Sequence, residues 1–357
     1  MLLTSHPLEG RDGADKQLAV AIATGSAETE FTWFGRTRSS RAALSSGRRI
    51  PVVSKHGSPG VLERTQIALA SPMLTRSVDL VHAVFTIGPG FRLLSRTGSV
   101  ALGGRPVIHT VPGVANPRHL KGATALGLTV ALSETTAVQL RSAGFPDVRV
   151  VPPAVPLADW PQQPRPVGAV PVVVYAGHFD LGGGMHEAIL AAGLSARTGA
   201  RFRLVLAMRA RPRENHRRLA GDALELARTQ GLDEVSVFGR VDDMGSLLTS
   251  ASVLLFPAAS LAGGKADVPI TVLEAMATGR PVIVSDLPQF AGLGDAVLRV
   301  PVGDVDAAAQ RLLAVLEDAV TWQTTVERGR AAVERSFDPA RMARSYEQLY
   351  REVLAGS

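Results

Sequence analysis

Short apolar runs rich in β-branched residues alternate with amphipathic stretches along most of the chain. That alternation is the pattern of βαβ units, in which neighbouring strands run parallel and each crossover is a helix. In the first half the candidate strands are Met1–Ser5, Glu30–Phe34, Leu80–Ala83, Val107–Thr110, Leu128–Leu132 and Val148–Val151. Gly13 opens a helix over Ala14–Ala23. A second helix, Glu134–Ala143, follows Ser133, whose hydroxyl suits an N-cap, and stops at Gly144.

The rhythm breaks over Pro152–Pro171, where seven prolines fall in a stretch of little periodicity, and 156–170 reads as a linker. It resumes with strands at Val172–Ala176, Arg203–Ala207, Val235–Phe238, Val253–Phe256 and Pro281–Ser285. Between them lie a glycine-rich turn, Gly182–Gly184, and helices over His186–Thr198, Asn215–Gln230, Met244–Thr249 and Ile270–Thr278. A last helix spans Asp338–Leu354 within a segment 336–357. The spacing predicts an α/β chain of two doubly wound, Rossmann-like domains, 1–155 and 171–335, with a ligand cleft at the carboxyl ends of both sheets. Length agrees, because 357 residues exceed the roughly 250–300 that one core serves.

Composition narrows the chemistry. With no cysteine there is no disulfide, thiolate nucleophile or cysteine-ligated metal. The histidines lack HxxxH and HxH spacing, so no metal is expected. No GxxxxGK[ST] or GxGxxG sequence follows a strand. The amino-terminal residues lack the basic and apolar regions of a leader, and no apolar run approaches a membrane span, so a cytoplasmic protein is expected. Residues 1–160 hold 17 basic and 10 acidic residues, whereas 161–357 hold 21 and 22. Much of the excess lies in a run without acids: Arg36, Arg38, Arg41, Arg48, Arg49 and Lys55. Such a run is either a solvated loop or a surface for phosphate, nucleic acid or anionic membrane. No RNA-binding signature accompanies it, so nucleic acid is not expected.

The segment Lys265–Ser285 carries the most chemistry. Pro269 suits the first turn of a helix and Gly279 the position just beyond its end. The amides of Ile270, Thr271 and Val272 would then face outward at the positive end of the helix dipole, a site for a diphosphate. Glu274, one turn on, could accept two hydrogen bonds from a ribose diol. Its other reading is an ordinary surface glutamate.

This segment resembles the donor-binding segment of the GT-B, retaining glycosyltransferases of family 4. There a glutamate, seven residues and a second glutamate precede Ala-Met-Ala-x-Gly-x-Pro-Val-Ile, and Leu273–Ile283 matches the second half. Val237–Val241, Ser252–Pro257 and the helix bearing Tyr346 and Tyr350 resemble further family elements. In the first half Asp79–Ala83 and Pro106–Thr110 resemble its strands, and Gly13 its first glycine-bearing turn. The sequence departs from the pattern in three places. Ala266 stands where the first glutamate is usual, Gly177-His178 and Gly182–Gly184 replace an arginine and a lysine, and Pro112 replaces a histidine. A subset of the family carries a Lys-x-Asp-x-Pro donor loop with an arginine at a strand end. Lys265, Asp267 and Arg209 resemble that subset.

The resemblance implies a GT-B architecture whose last helix returns to the first domain. It implies metal-independent, retaining transfer from a nucleoside-diphosphate sugar to an unidentified acceptor; the basic first half points to one that is anionic or lipid-linked. Lys265 and Arg209 would stabilise the leaving group, and His109 would contact the sugar or acceptor. Glu274, Asp267, Ile270, Thr271, Val272, His178, Gly177 and Gly13 would hold the donor. His82 reads as a packed strand-end residue, and for Arg209 a basic helix face continuing through Arg211, Arg213, Arg217 and Arg218 is the other reading. The basic run would meet the inner face of a membrane. A scaffold that binds without turnover is the alternative.

Overall fold

A computed structural model describes the chain except for residues 5–6, 9–13, 37–43, 45–46, 54–60, 115, 167, 169, 180–181, 211–213, 261–267 and 357. Two compact units emerge: 1–154 with 262–268 and 337–357, and 155–261 with 269–336.

The N-terminal unit is built on a seven-stranded sheet. Its strands are β1 (Leu2–Thr4), β2 (Thr32–Arg36), β3 (Arg48–Val52), β4 (Val81–Val84), β5 (Val107–Val111), β6 (Leu128–Ala131) and β7 (Val148–Val150). They run in the order β3-β2-β1-β4-β5-β6-β7, and every recorded pairing is parallel. Helices α1 (Ala14–Gly25), α2 (Val61–Leu74), α3 (Phe91–Ala101) and α4 (Glu134–Ser142) connect them. Ser133 caps α4 as expected, its hydroxyl accepting from the Thr136 amide.

The second unit carries a six-stranded parallel sheet: β8 (Val172–His178), β9 (Arg203–Arg209), β10 (Val235–Phe238), β11 (Val253–Phe256), β12 (Val282–Ser285) and β13 (Leu298–Val300). The order is β10-β9-β8-β11-β12-β13. Its helices are α5 (Met185–Arg197), α6 (His216–Thr229), α7 (Met244–Ser250), α8 (Ile270–Thr278), α9 (Val305–Glu317) and α10 (Ala319–Ser336). The central strands β11 and β12 are buried throughout, as uninterrupted apolar runs in a doubly covered sheet should be.

The last helix, α11 (Pro339–Ala355), belongs to the N-terminal unit and lies along α1. Met342, Tyr346, Leu349 and Tyr350 of α11 enter one core with Leu18, Ala19 and Ile22 of α1. The buried face also carries polar groups. His82 Nδ1 lies 2.7 Å from Tyr350 Oη, His82 Nε2 lies 2.8 Å from Thr110 Oγ1, and Thr110 Oγ1 lies 3.0 Å from Tyr346 Oη. Each buried polar atom of that chain thus has a partner, which is what makes the burial tolerable.

Three expectations are corrected. The strand foreseen at Glu30–Phe34 runs from Thr32 to Arg36. The basic run is not simply a loop: Arg36 ends β2, and Arg48 and Arg49 start β3 at the sheet edge. The Arg49 side chain donates to the Arg36 carbonyl and lies 5.9 Å from the Trp33 ring centre, while Arg36 Nε is 3.6 Å from the buried Glu63 carboxylate. Those two charges are therefore engaged within the fold; Arg38, Arg41 and Lys55 lie outside the described residues.

The third correction concerns 156–170, read as a linker. It is strapped to the second unit. Arg280 donates to the Gln163 and Pro164 carbonyls, Arg330 to that of Trp160, and the Gln163 amide to that of Thr278. Prolines remove backbone donors, so carbonyls dominate this strap, and arginines of the unit satisfy them.

Candidate donor site on the second unit

In the second sheet, chain connections change direction between β8 and β11, the two neighbours at its centre. In doubly wound folds such a switch point leaves a crevice at the carboxyl ends of the strands, where ligands bind. Two loops meet there. The glycine turn after β8 receives hydrogen bonds from the loop after β11, with the Ala259 and Ser260 amides each donating to the Gly182 carbonyl at 3.1 Å. Tyr175, fully buried on β8, donates from its hydroxyl to the Gly183 carbonyl at 3.0 Å and pins the turn from below.

Glycine is required at the end of this turn. Gly184 sits at φ +94°, just before α5, and a Cβ there would lie 2.6 Å from the Pro257 carbonyl carbon and 2.7 Å from the Ala258 nitrogen. Both obstacles are backbone. Gly184→Ala should destabilise the second unit by about 2–4 kcal/mol, from left-handed strain plus overpacking. Urea unfolding of the variant measures it, and a loss under about 0.5 kcal/mol, the range of a neutral surface change, would contradict the close approach.

Gly177, expected to touch the donor, has a packing role: a Cβ there would sit 2.4 Å from Tyr175 Oη. His178 and Arg209 are register partners at the carboxyl ends of β8 and β9. His178 is half-buried and Arg209 exposed. Gly13, Lys265 and Asp267 lie outside the described residues.

Helix α8 begins at Ile270 with Pro269 as its N-cap, one position earlier than expected, at φ −62° and ψ 121°. The Val272 amide donates back to the Pro269 carbonyl at 3.0 Å. Of the three amides expected to face outward, those of Ile270 and Thr271 therefore remain for an anion. Glu274 is half-buried on the same helix, whose Val272, Leu273, Ala275, Met276 and Ala277 are buried. The helix ends as expected: Gly279 is left-handed at φ +78°, its amide donates to Met276 and that of Arg280 to Ala275, a Schellman closure.

His109 is corrected. It was expected at a ligand surface, but it is fully buried in the N-terminal unit. Its Nε2 lies 3.1 Å from the Phe85 carbonyl, and its ring packs on Phe85 and Phe91 at centroid distances of 4.4 and 5.3 Å. Burial pulls its pKa down to about 4, so the ring is neutral at pH 7. Its strand, β5, is buried on both faces, which an alternating reading of the sequence could not separate from a strand end reaching solvent.

Sequence reading missed a pocket of about 240 Å³ in the N-terminal unit, lined by Gly88, Gly90, Arg92, Arg118, His119 and Lys121. Its residues are spread over two connections and the start of α3, and none sits in a motif. One signal was available: between Asp79 and Glu134 the chain has no acidic residue.

The two-sheet fold is the GT-B fold of solved glycosyltransferases. The sucrose-phosphate synthase of Thermosynechococcus elongatus superposes with a TM-score of 0.73 at 20% identity, covering 100% of this chain and 99% of that one. Anabaena Alr3699/HepE, solved with UDP and glucose, gives 0.75 at 15% identity over 98% of both chains. At the level of sequence, residues 171–318, the segment that holds the candidate site, match the family described as Glycosyl transferases group 1. Among curated relatives, the phosphatidyl-myo-inositol mannosyltransferase of Mycobacterium leprae is 32% identical over 138 residues, 37% of this chain and 36% of the relative. The N-acetyl-alpha-D-glucosaminyl L-malate synthase of Bacillus anthracis is 30% identical over 125 residues, 34% of this chain and 32% of the relative. The chain thus spans about a third of the length of these relatives. No described helix is long and apolar enough to cross a membrane.

Proposed function

We propose that the protein is a glycosyltransferase that takes a sugar from a nucleoside-diphosphate donor held on the second unit. The observation that carries this reading is the α8 segment at the carboxyl end of that sheet, within residues matched by the family. The Ile270 and Thr271 amides and the helix dipole receive the diphosphate, and Glu274 accepts from the ribose hydroxyls. Solved relatives of the same fold with UDP, and with UDP-glucose, support a nucleotide ligand.

Transfer proceeds with retention and without a metal. As the bond from the sugar to the diphosphate breaks, negative charge grows on the departing phosphate. The helix terminus, Arg209 and Lys265 of the Lys-x-Asp-x-Pro loop stabilise it, and Asp267 holds the sugar hydroxyls. The acceptor hydroxyl attacks on the face the phosphate leaves and gives its proton to the phosphate oxygen. No carboxylate pair flanking the sugar is needed, in contrast to a hydrolase. The reaction takes place in the cytoplasm.

A thermal-shift panel of UDP, GDP, ADP and TDP, with their sugar conjugates, tests the reading. One nucleotide at 100 times its Kd should add about 2.7 kcal/mol and raise Tm by a few degrees. Glu274→Ala should weaken that nucleotide at least about tenfold, from loss of a charge-assisted bond, judged against the variant's own Tm without nucleotide. Stabilisation of wild type and variant alike would remove Glu274 from the site. No stabilisation by any nucleotide would favour a scaffold without turnover.

A further inference from the structure

The pocket in the N-terminal unit is cationic and built by several elements. Gly88 and Gly90 lie in the loop after β4, Arg92 in the first turn of α3, and Arg118, His119 and Lys121 in the turn after β5. β4 and β5 are neighbours, so the pocket opens at the carboxyl ends of adjacent parallel strands. A Cβ at Gly88 or Gly90 would meet no atom within 4 Å, so the backbone of this loop borders open space. Gly122, at φ +69°, leaves room for Arg92, whose Nε would lie 3.3 Å from a Cβ there; this brings the guanidinium from α3 to the turn that holds Lys121.

The charges are not spent inside the protein. Arg36, Arg141, Arg149, Arg299 and Arg330 each face a carboxylate. Among the described residues, the side chains of Arg92, Arg118 and Lys121 have no ion pair and no hydrogen bond. His119 Nδ1 is buried and has no partner. No carboxylate lines the pocket, and these loops have none to offer, since the chain lacks acids from Asp79 to Glu134. Two guanidinium forks and an ammonium lining one small space suit a compact oxyanion.

We propose that this pocket binds a phosphate group, as a monoester or diester. On the transferase reading, on which this assignment rests, the group is carried by the acceptor. Arg118 and Arg92 would grip it bidentately, and Lys121 would add a point charge.

The test compares wild type with Arg118→Gln/Lys121→Gln, both positions being at the surface, in titrations followed by calorimetry at fixed ionic strength. The probes are inorganic phosphate, glycerol 3-phosphate, and phosphatidylcholine vesicles with and without phosphatidylinositol. Wild type should bind phosphate saturably, and the double variant at least about tenfold more weakly, with unchanged Tm and unchanged nucleotide stabilisation. Saturable glycerol 3-phosphate binding without vesicle binding assigns the group to a soluble phosphomonoester. Vesicle binding that needs both phosphatidylinositol and the two cations assigns it to a lipid head group. Equal phosphate binding by wild type and double variant, or a response that potassium chloride reproduces, overturns the proposal. Phosphate binding here with no nucleotide bound to the second unit leaves the pocket standing and removes the transferase reading.

Discussion

Lowering the pH from 7 to 5 is expected to cost the N-terminal unit about 4 kcal/mol. Two buried rings cause it. Burial holds His82 down to a pKa of about 3 and His109 to about 4. The unfolded chain binds protons on both rings near pH 6.5, and the folded chain does not. Above that pH neither state carries the protons and stability is full. Below it each ring removes about 1.4 kcal/mol per pH unit, until the folded pKa is reached. His82 cannot take the proton without disturbing its bonds to Tyr350 and Thr110, and His109 is enclosed by Phe85 and Phe91. His109→Met, apolar and of similar bulk, should about halve the loss measured by urea unfolding at pH 7 and pH 5. An acid loss unchanged in this variant would rule out His109 as a source.

Arg280→Ala should destabilise the second unit by about 3–5 kcal/mol. Arg280 is buried, and its guanidinium donates to three carbonyls, those of Ala251, Gln163 and Pro164, at 2.9–3.0 Å. No carboxylate is involved. The charge is accommodated by these dipoles and by Trp322, whose ring centre is 5.8 Å away, although burial still lowers the pKa to about 10. Alanine would leave three buried acceptors unpaired and a cavity beneath the strap. Lysine should recover only part of the loss, because one ammonium cannot span both segments. Chemical unfolding measures both variants, and a loss under about 1 kcal/mol for alanine would sink the assignment.

Arg280 also marks where sequence reading stopped. The Gly279-Arg280-Pro281 end of the motif was legible as a helix stop, because a left-handed glycine leaves a local signature. That the arginine reaches back to Gln163 was not, since the partner is distant in sequence and reads as linker. Strands and capped helices such as α4 and α8 were legible for the same local reason. The edge strand Arg48–Val52 was not, because arginine and proline speak against a strand, and only pairing with β2 along its whole length outweighs them. Helices α2, α3, α9 and α10 also went unread, as did the cationic pocket, which exists only once two loops are folded together. Of the candidate donor site, Glu274 and the amides of Ile270 and Thr271 are expected from the motif alone, while the hold of Tyr175 on the glycine turn emerges only in three dimensions.

The membership of α11 in the N-terminal unit sets an order of events during synthesis. The second unit is complete when Ser336 has left the ribosome. The first must wait for residues 337–357, because Tyr346 and Tyr350 complete the hydrogen-bond chain on His82 and Thr110, and Leu349 covers the apolar side of α1. The half of the protein that is translated first is therefore finished last, and its unfilled groove over Leu18 and Ile22 is the surface a nascent chain has to protect until then.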